Sequence, residues 1–100
     1  IDTAKRIGYG IANDFEMEDL LYGRVKTDKN LPIGVILTIA AAGSEMSSSM
    51  VLTIEDGMMK RSYGHDCARP KFAIMNPELT YSLPAYQTAS GAADIMMHTM

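Results

Sequence analysis

The chain has 100 residues, 47% apolar and 21% charged, so composition excludes intrinsic disorder and allows one small domain with a buried core. A net charge of −3 provides no basic stripe for a phosphate backbone, which excludes nucleic acid as an expected partner. Cys67 is the only cysteine, so an internal disulfide and a cysteine-cluster zinc site are both excluded, and a reduced, cytoplasmic setting is expected.

The chain opens at Ile1 with no initiator methionine, and its first residues read as helix interior rather than signal peptide. The expectation is an internal piece of a larger protein. Ile1, Ala4, Ile7, Gly8 and Ile11 recur at helical spacing, with Asp2 in the first turn where a carboxylate suits the helix dipole; a helix is predicted over Ile1 to Ala12. Asn13 to Asp19 gathers acid around Phe15 and Met17 without the spacing of a calcium loop, and reads as a solvated loop or short helix.

Pro32 to Ala40 is a continuous apolar run rich in branched residues, which predicts a strand covered on both faces in a parallel sheet. The wider run from Leu31 to Gly43 is too short to cross a bilayer, so no membrane partner is expected. Ala41 to Ser49 then turns small and hydroxyl-rich. Such a segment lets backbone approach a ligand, and ligands of open α/β sheets sit beyond the carboxyl ends of strands. A bare Gly/Ser connection is the plainer reading of that composition.

Val51 to Ile54 and Met58 to Tyr63 flank Glu55-Asp56-Gly57, a hairpin signal that predicts an antiparallel excursion. Lys71 to Met75 reads as another buried strand, stopped by Asn76-Pro77. Leu83-Pro84 opens the last helix, with proline at the first helical position, where its missing donor costs nothing. A domain boundary is expected near Leu79 to Leu83.

In that helix Gln87, Gly91, Asp94 and His98 form a narrow polar stripe among alanines, Ile95, Met96 and Met97. Asp94 and His98, four residues apart, share one face. An ionisable pair on an apolar helix has to be paired, solvated or metal-bound. On spacing alone the plainer reading is an i,i+4 pair that stabilises the helix by a few tenths of a kcal/mol. Two side chains are at most half of a metal site.

Four segments stand in order along the chain: Ile1-Asp2-Thr3-Ala4-Lys5, Pro32 through Thr38-Ile39-Ala40-Ala41-Ala42-Gly43-Ser44-Glu45-Met46, Pro77 through Pro84, and Gly91-Ala92-Ala93-Asp94 through His98-Thr99-Met100. Together they resemble the iron-containing alcohol dehydrogenase family, in its butanol dehydrogenase-like branch. The resemblance covers essentially the whole chain. It implies part of a Rossmann-like α/β dinucleotide-binding domain with a β-hairpin over residues 1–82, then over 83–100 the first helix of an all-helical metal-binding domain. It also implies hydride transfer between an alcohol or aldehyde and NAD(P), with a divalent metal, Fe²⁺ or Zn²⁺, in the cleft between domains.

By the same resemblance Asp94 and His98 are metal ligands, and two further histidines would lie beyond Met100. His65, in the loop after the hairpin, is not expected to replace them. Asp2 matches the aspartate that closes a Gly-Gly-Gly-Ser-x-x-Asp pyrophosphate element. Thr38, Ser47, Lys60 and Leu79 match positions near the cofactor. Ala42 departs from the family's usual threonine, which puts one cofactor hydrogen bond in doubt. No general base is identifiable, so no catalytic residue is assigned. The chain alone is expected to be inactive, with the larger protein a homo-oligomer, a dimer; a non-catalytic nucleotide-binding or interaction module is the alternative.

Overall fold

Helix α1 (Asp2–Ala12) forms as expected in the computed structural model, which describes residues 1–100, but the isoleucines that mark it do not face the core. Ile7 and Ile11 are 57% and 67% exposed, whereas Lys5, Gly8 and Tyr9 point inward. Gly8 permits this: a Cβ there would overlap the Asn30 side chain. The Tyr9 ring meets Tyr63 edge-on, with centroids 5.5 Å apart, a favoured aromatic geometry.

The short-helix reading of the acidic stretch holds at its end, where α2 (Met17–Leu21) buries Leu20 and Leu21. These join Tyr9, Met50, Ile54 and Ala68 in the core, with Phe15, Met17 and Tyr63 packed against it. Each large apolar side chain buried there contributes about 1.5–3 kcal/mol.

The expected strand at Pro32 to Ala40 is cut to β1 (Gly34–Ile36), and the one at Lys71 to Met75 to β4 (Phe72–Ile74). They pair in parallel, Gly34 opposite Phe72 and Ile36 opposite Ile74. Coverage on both faces is not observed: Val35 is buried, but Ile36, Phe72 and Ile74 are exposed. This sheet has two strands and no third, so continuous apolar patterning here is not matched by burial. Pro32 also lacks a donor for the ladder.

The hairpin is β2 (Ser49–Ile54) against β3 (Met59–Gly64), antiparallel, with Ile54 opposite Met59. Four residues, Glu55 to Met58, connect them rather than the expected three. Gly57 takes φ 80° and Met58 φ 49°, and Met58 starts the turn's exit instead of the strand because that backbone region is non-extended.

Helix α3 (Ala85–Thr99) begins one residue later than expected, with Pro84 as its cap at ψ 148° rather than inside its first turn. Gly91 is its single buried residue, resting on the Ala40 carbonyl just past β1. The Cα radius of gyration, 15.1 Å, exceeds the roughly 13 Å of a compact domain of this length. The core therefore sits under α1, α2 and the hairpin, while α3 and the parallel pair extend from it. No helix is long and apolar enough to cross a membrane.

Candidate functional site

Helix α3 places Asp94 and His98 together one turn apart. Asp94 Oδ1 lies 3.6 Å from His98 Nε2, with the side chains 43% and 60% exposed. That separation is beyond a hydrogen bond, so the pair is not closed upon itself. A carboxylate oxygen and an imidazole nitrogen suit Fe²⁺ or Zn²⁺. They fit as two ligands of such an ion and no more, because no third His, Cys, Asp or Glu joins them.

His98 lines two neighbouring spaces. One is a cavity of about 540 Å³ between Leu37 and Ala40 to Gly43 on one side and Met75 to Pro77 on the other, with Ile95 beside His98. The second, about 530 Å³, is bounded by Asp2, Lys5, the Ser44 to Ser49 segment and Arg69. Ala42 and Gly43 border both. The loop leaving β1 is thus the partition between them, and Gly43 supplies the φ of 69° at its bend.

The serine segment is held from below. Lys5 Nζ donates to the carbonyls of Ser47 and Ser49, each at 2.7 Å, and Arg69 Nη1 donates to the Met46 carbonyl at 2.6 Å. The Ser47 and Ser49 hydroxyls are 2.9 Å apart. Asp2 Oδ2 accepts from the Val51 N–H at 3.0 Å, tying the start of α1 to β2. Burial lowers the Lys5 pKa; the Asp2 carboxylate opposes that shift and the Arg69 guanidinium adds to it.

The residues singled out in the sequence are brought together in part. Asp2 and Ser47 share the recess that His98 borders. Thr38 lies in an adjoining recess with Asp2, Thr3 and Ser44. Lys60 stands on β3 opposite Thr53, exposed and away from these spaces. Leu79 is 44% exposed on the Pro77–Thr80 turn, where Pro77 and Thr80 line the larger cavity and Leu79 does not. His65 caps the turn after the hairpin, its Nδ1 accepting from the Cys67 N–H at 3.2 Å, and lines neither of the two spaces that His98 borders.

Lys5 and Arg69 were not legible as site residues. Both act on main-chain carbonyls across long sequence separations, which no local pattern records. A lysine on the same helix face as Gly8 and Tyr9 was the available signal, and the isoleucine stripe obscured it.

A family model described as iron-containing alcohol dehydrogenase matches residues 1–77. The chain is 42% identical over 99 residues to NADH-dependent butanol dehydrogenase A of Clostridium acetobutylicum, covering 99% of this chain and 25% of that protein. With NADH-dependent butanol dehydrogenase B of the same organism the identity is 43% over 98 residues, covering 98% and 25%. It is also similar to the crystal structure of NADH-dependent butanol dehydrogenase A from Thermotoga maritima, with a TM-score of 0.88, 34% identity and coverage of 97% of this chain and 24% of that one. A sulfoacetaldehyde reductase from Bifidobacterium kashiwanohense, solved in complex with NAD⁺, gives a TM-score of 0.82 at 33% identity, covering 95% and 26%. The chain spans about a quarter of the length of the curated relatives it matches.

Proposed function

We propose a function from the premise that this chain belongs to the iron-containing alcohol dehydrogenase family. The protein that carries it transfers hydride between a small alcohol or aldehyde and NAD(P), and the chain supplies the meeting point of its cofactor and metal sites. Residues 1–82 are part of the dinucleotide-binding domain, and residues 83–100 the first helix of a helical metal-binding domain. What carries this reading is His98, which borders both the recess of Asp2 and Ser47 and the cavity behind the β1 exit loop. A metal ligand and cofactor-facing residues thereby open on one space.

Asp94 and His98 are two ligands of a divalent ion, iron or zinc, whose remaining donors come from elsewhere in the assembled protein. Bound there, the ion supplies Lewis-acid polarisation of the alcohol or carbonyl oxygen. Asp2 and Ser47 line the dinucleotide's path, and Thr38 extends it beyond the end of β1. Lys60 and Leu79 are proposed as more distant cofactor contacts on the strength of the family match alone. Gly91 lets α3 approach the loop closely enough for His98 to reach both spaces. The 100-residue chain by itself turns over no alcohol, because one carboxylate and one imidazole leave a metal short of ligands.

The test is metal content and alcohol-dependent NAD(P) reduction in the purified larger protein that carries this chain, compared with its Asp94→Asn and His98→Gln variants. Each substitution should cost more than the roughly 10–100-fold that outer-shell partners are worth, with loss of stoichiometric metal. Full metal occupancy in the double variant would refute the ligand assignment. Dinucleotide binding with neither metal nor turnover in the unaltered protein would favour a non-catalytic nucleotide-binding module.

A further inference from the structure

Lysine is rarely fully buried, and Lys5 has no exposed surface at all. Its ammonium does not meet a carboxylate: both of its hydrogen bonds go to main-chain carbonyls, those of Ser47 and Ser49 at 2.7 Å. Arg69 takes the carbonyl of Met46 while its Nε is held by Asp66 at 2.9 Å. Three carbonyls within four residues therefore turn toward two cations, one rooted in α1 and the other in the turn after the hairpin. The segment they fix forms one wall of the recess that reaches His98.

We propose that Lys5, assisted by Arg69, is a positioning residue for dinucleotide binding: it sets the shape of the Met46 to Ser49 wall through its carbonyls without touching the cofactor. This inference rests on the function proposed above. A cation suits the task because charge-assisted hydrogen bonds are about twice as strong as neutral ones and are retained in a water-poor site. With a neutral apolar side chain in its place, the Ser47 and Ser49 carbonyls lose their donors. The wall then re-forms around water, and Ser47 shifts relative to Asp2.

The experiment uses the purified larger protein that carries this chain, with KM for NADH, kcat, metal content and amide hydrogen exchange of the 46–51 segment measured for the unaltered protein, Lys5→Met and Arg69→Gln. Lys5→Met should raise KM for NADH about ten- to hundredfold, the scale of one or two unsatisfied carbonyls. It should change kcat far less, leave metal content unchanged and speed exchange in the segment. Arg69→Gln, at an exposed position that folding tolerates, should move KM and exchange in the same direction by a smaller factor. It decides the matter if Lys5→Met does not fold. Faster exchange with an unchanged KM, or a loss confined to kcat, would overturn the positioning role. An unaltered protein that binds no NAD(P)H would instead overturn the proposed function, and the inference with it.

Discussion

Adding one methyl group to each of two helical glycines should give effects of opposite sign. A Cβ at Gly10 of α1 meets nothing within 4 Å. Gly10→Ala should therefore stabilise by up to about 1 kcal/mol, through helix propensity and reduced freedom of the unfolded chain. A Cβ at Gly91 would instead overlap the Ala40 carbonyl oxygen, with the Ala40 carbonyl carbon at 3.6 Å and Ile39 Cγ1 at 3.7 Å. The ordinary C···O approach is about 3.3 Å, so α3 and the loop must separate by something on the order of 1 Å.

The obstacle is backbone and cannot rotate away. Overpacking of this kind costs about 1–3 kcal/mol, against the propensity gain of about 1 kcal/mol. The net is a loss on the order of 1 kcal/mol, or about 4–8 °C in melting temperature for a domain of this size. Thermal unfolding followed by circular dichroism reads both variants. The same displacement carries Asp94 and His98 with the helix, since they lie one and two turns further along, so metal affinity should fall in Gly91→Ala and not in Gly10→Ala. A Gly91→Ala protein that melts higher, as Gly10→Ala should, would refute the argument that this glycine is what lets α3 close on the loop.

Leu20→Ala, at a side chain only 1% exposed, should cost about 2–5 kcal/mol, whereas Ile11→Ala should fall within about 0.5 kcal/mol of the parent; comparable urea midpoint shifts for the two would contradict the α1 orientation. Burial and the neighbouring Cys67 raise the Tyr9 phenol above its ordinary value of 10.0. Above that pH the unfolded chain releases a proton that the folded chain keeps, so stability falls as pH rises, approaching about 1.4 kcal/mol per pH unit for this one group. Lys5, with its pKa lowered, acts in the opposite sense up to 10.5, which is why the informative quantity is the difference from Tyr9→Phe. That variant should lack the phenol's share of the decline between about pH 9 and pH 11; parallel slopes in denaturant titrations would show that Tyr9 is not the group concerned. Arg24 pairs with Asp19 at 3.0 Å on the surface, and Arg24→Ala should cost no more than about 1 kcal/mol by the same titrations.

Local patterning determined a good deal of this protein. Helical spacing placed α1 and α3, Asp-Gly between apolar runs placed the hairpin, and the i,i+4 offset put Asp94 and His98 on one face; each depends only on near neighbours along the chain. The four motifs that resemble the alcohol dehydrogenase family are likewise short segments, and the family membership that followed needed no coordinates.

Burial was decided only in three dimensions. Ile7 and Ile11 are apolar in the right rhythm and remain exposed because α1 turns Lys5, Gly8 and Tyr9 inward instead, and Ile36 and Phe72 remain exposed because the parallel pair has no further strand beside it. Lys5 is the converse case, a cation drawn inside because the fold delivers two carbonyls from more than 40 residues away. The proximity of His98 to Asp2 and Ser47 was also out of the sequence's reach. It depends on α3 packing its one buried glycine against the loop after β1, and a close approach of two backbones leaves no periodic trace in either of them.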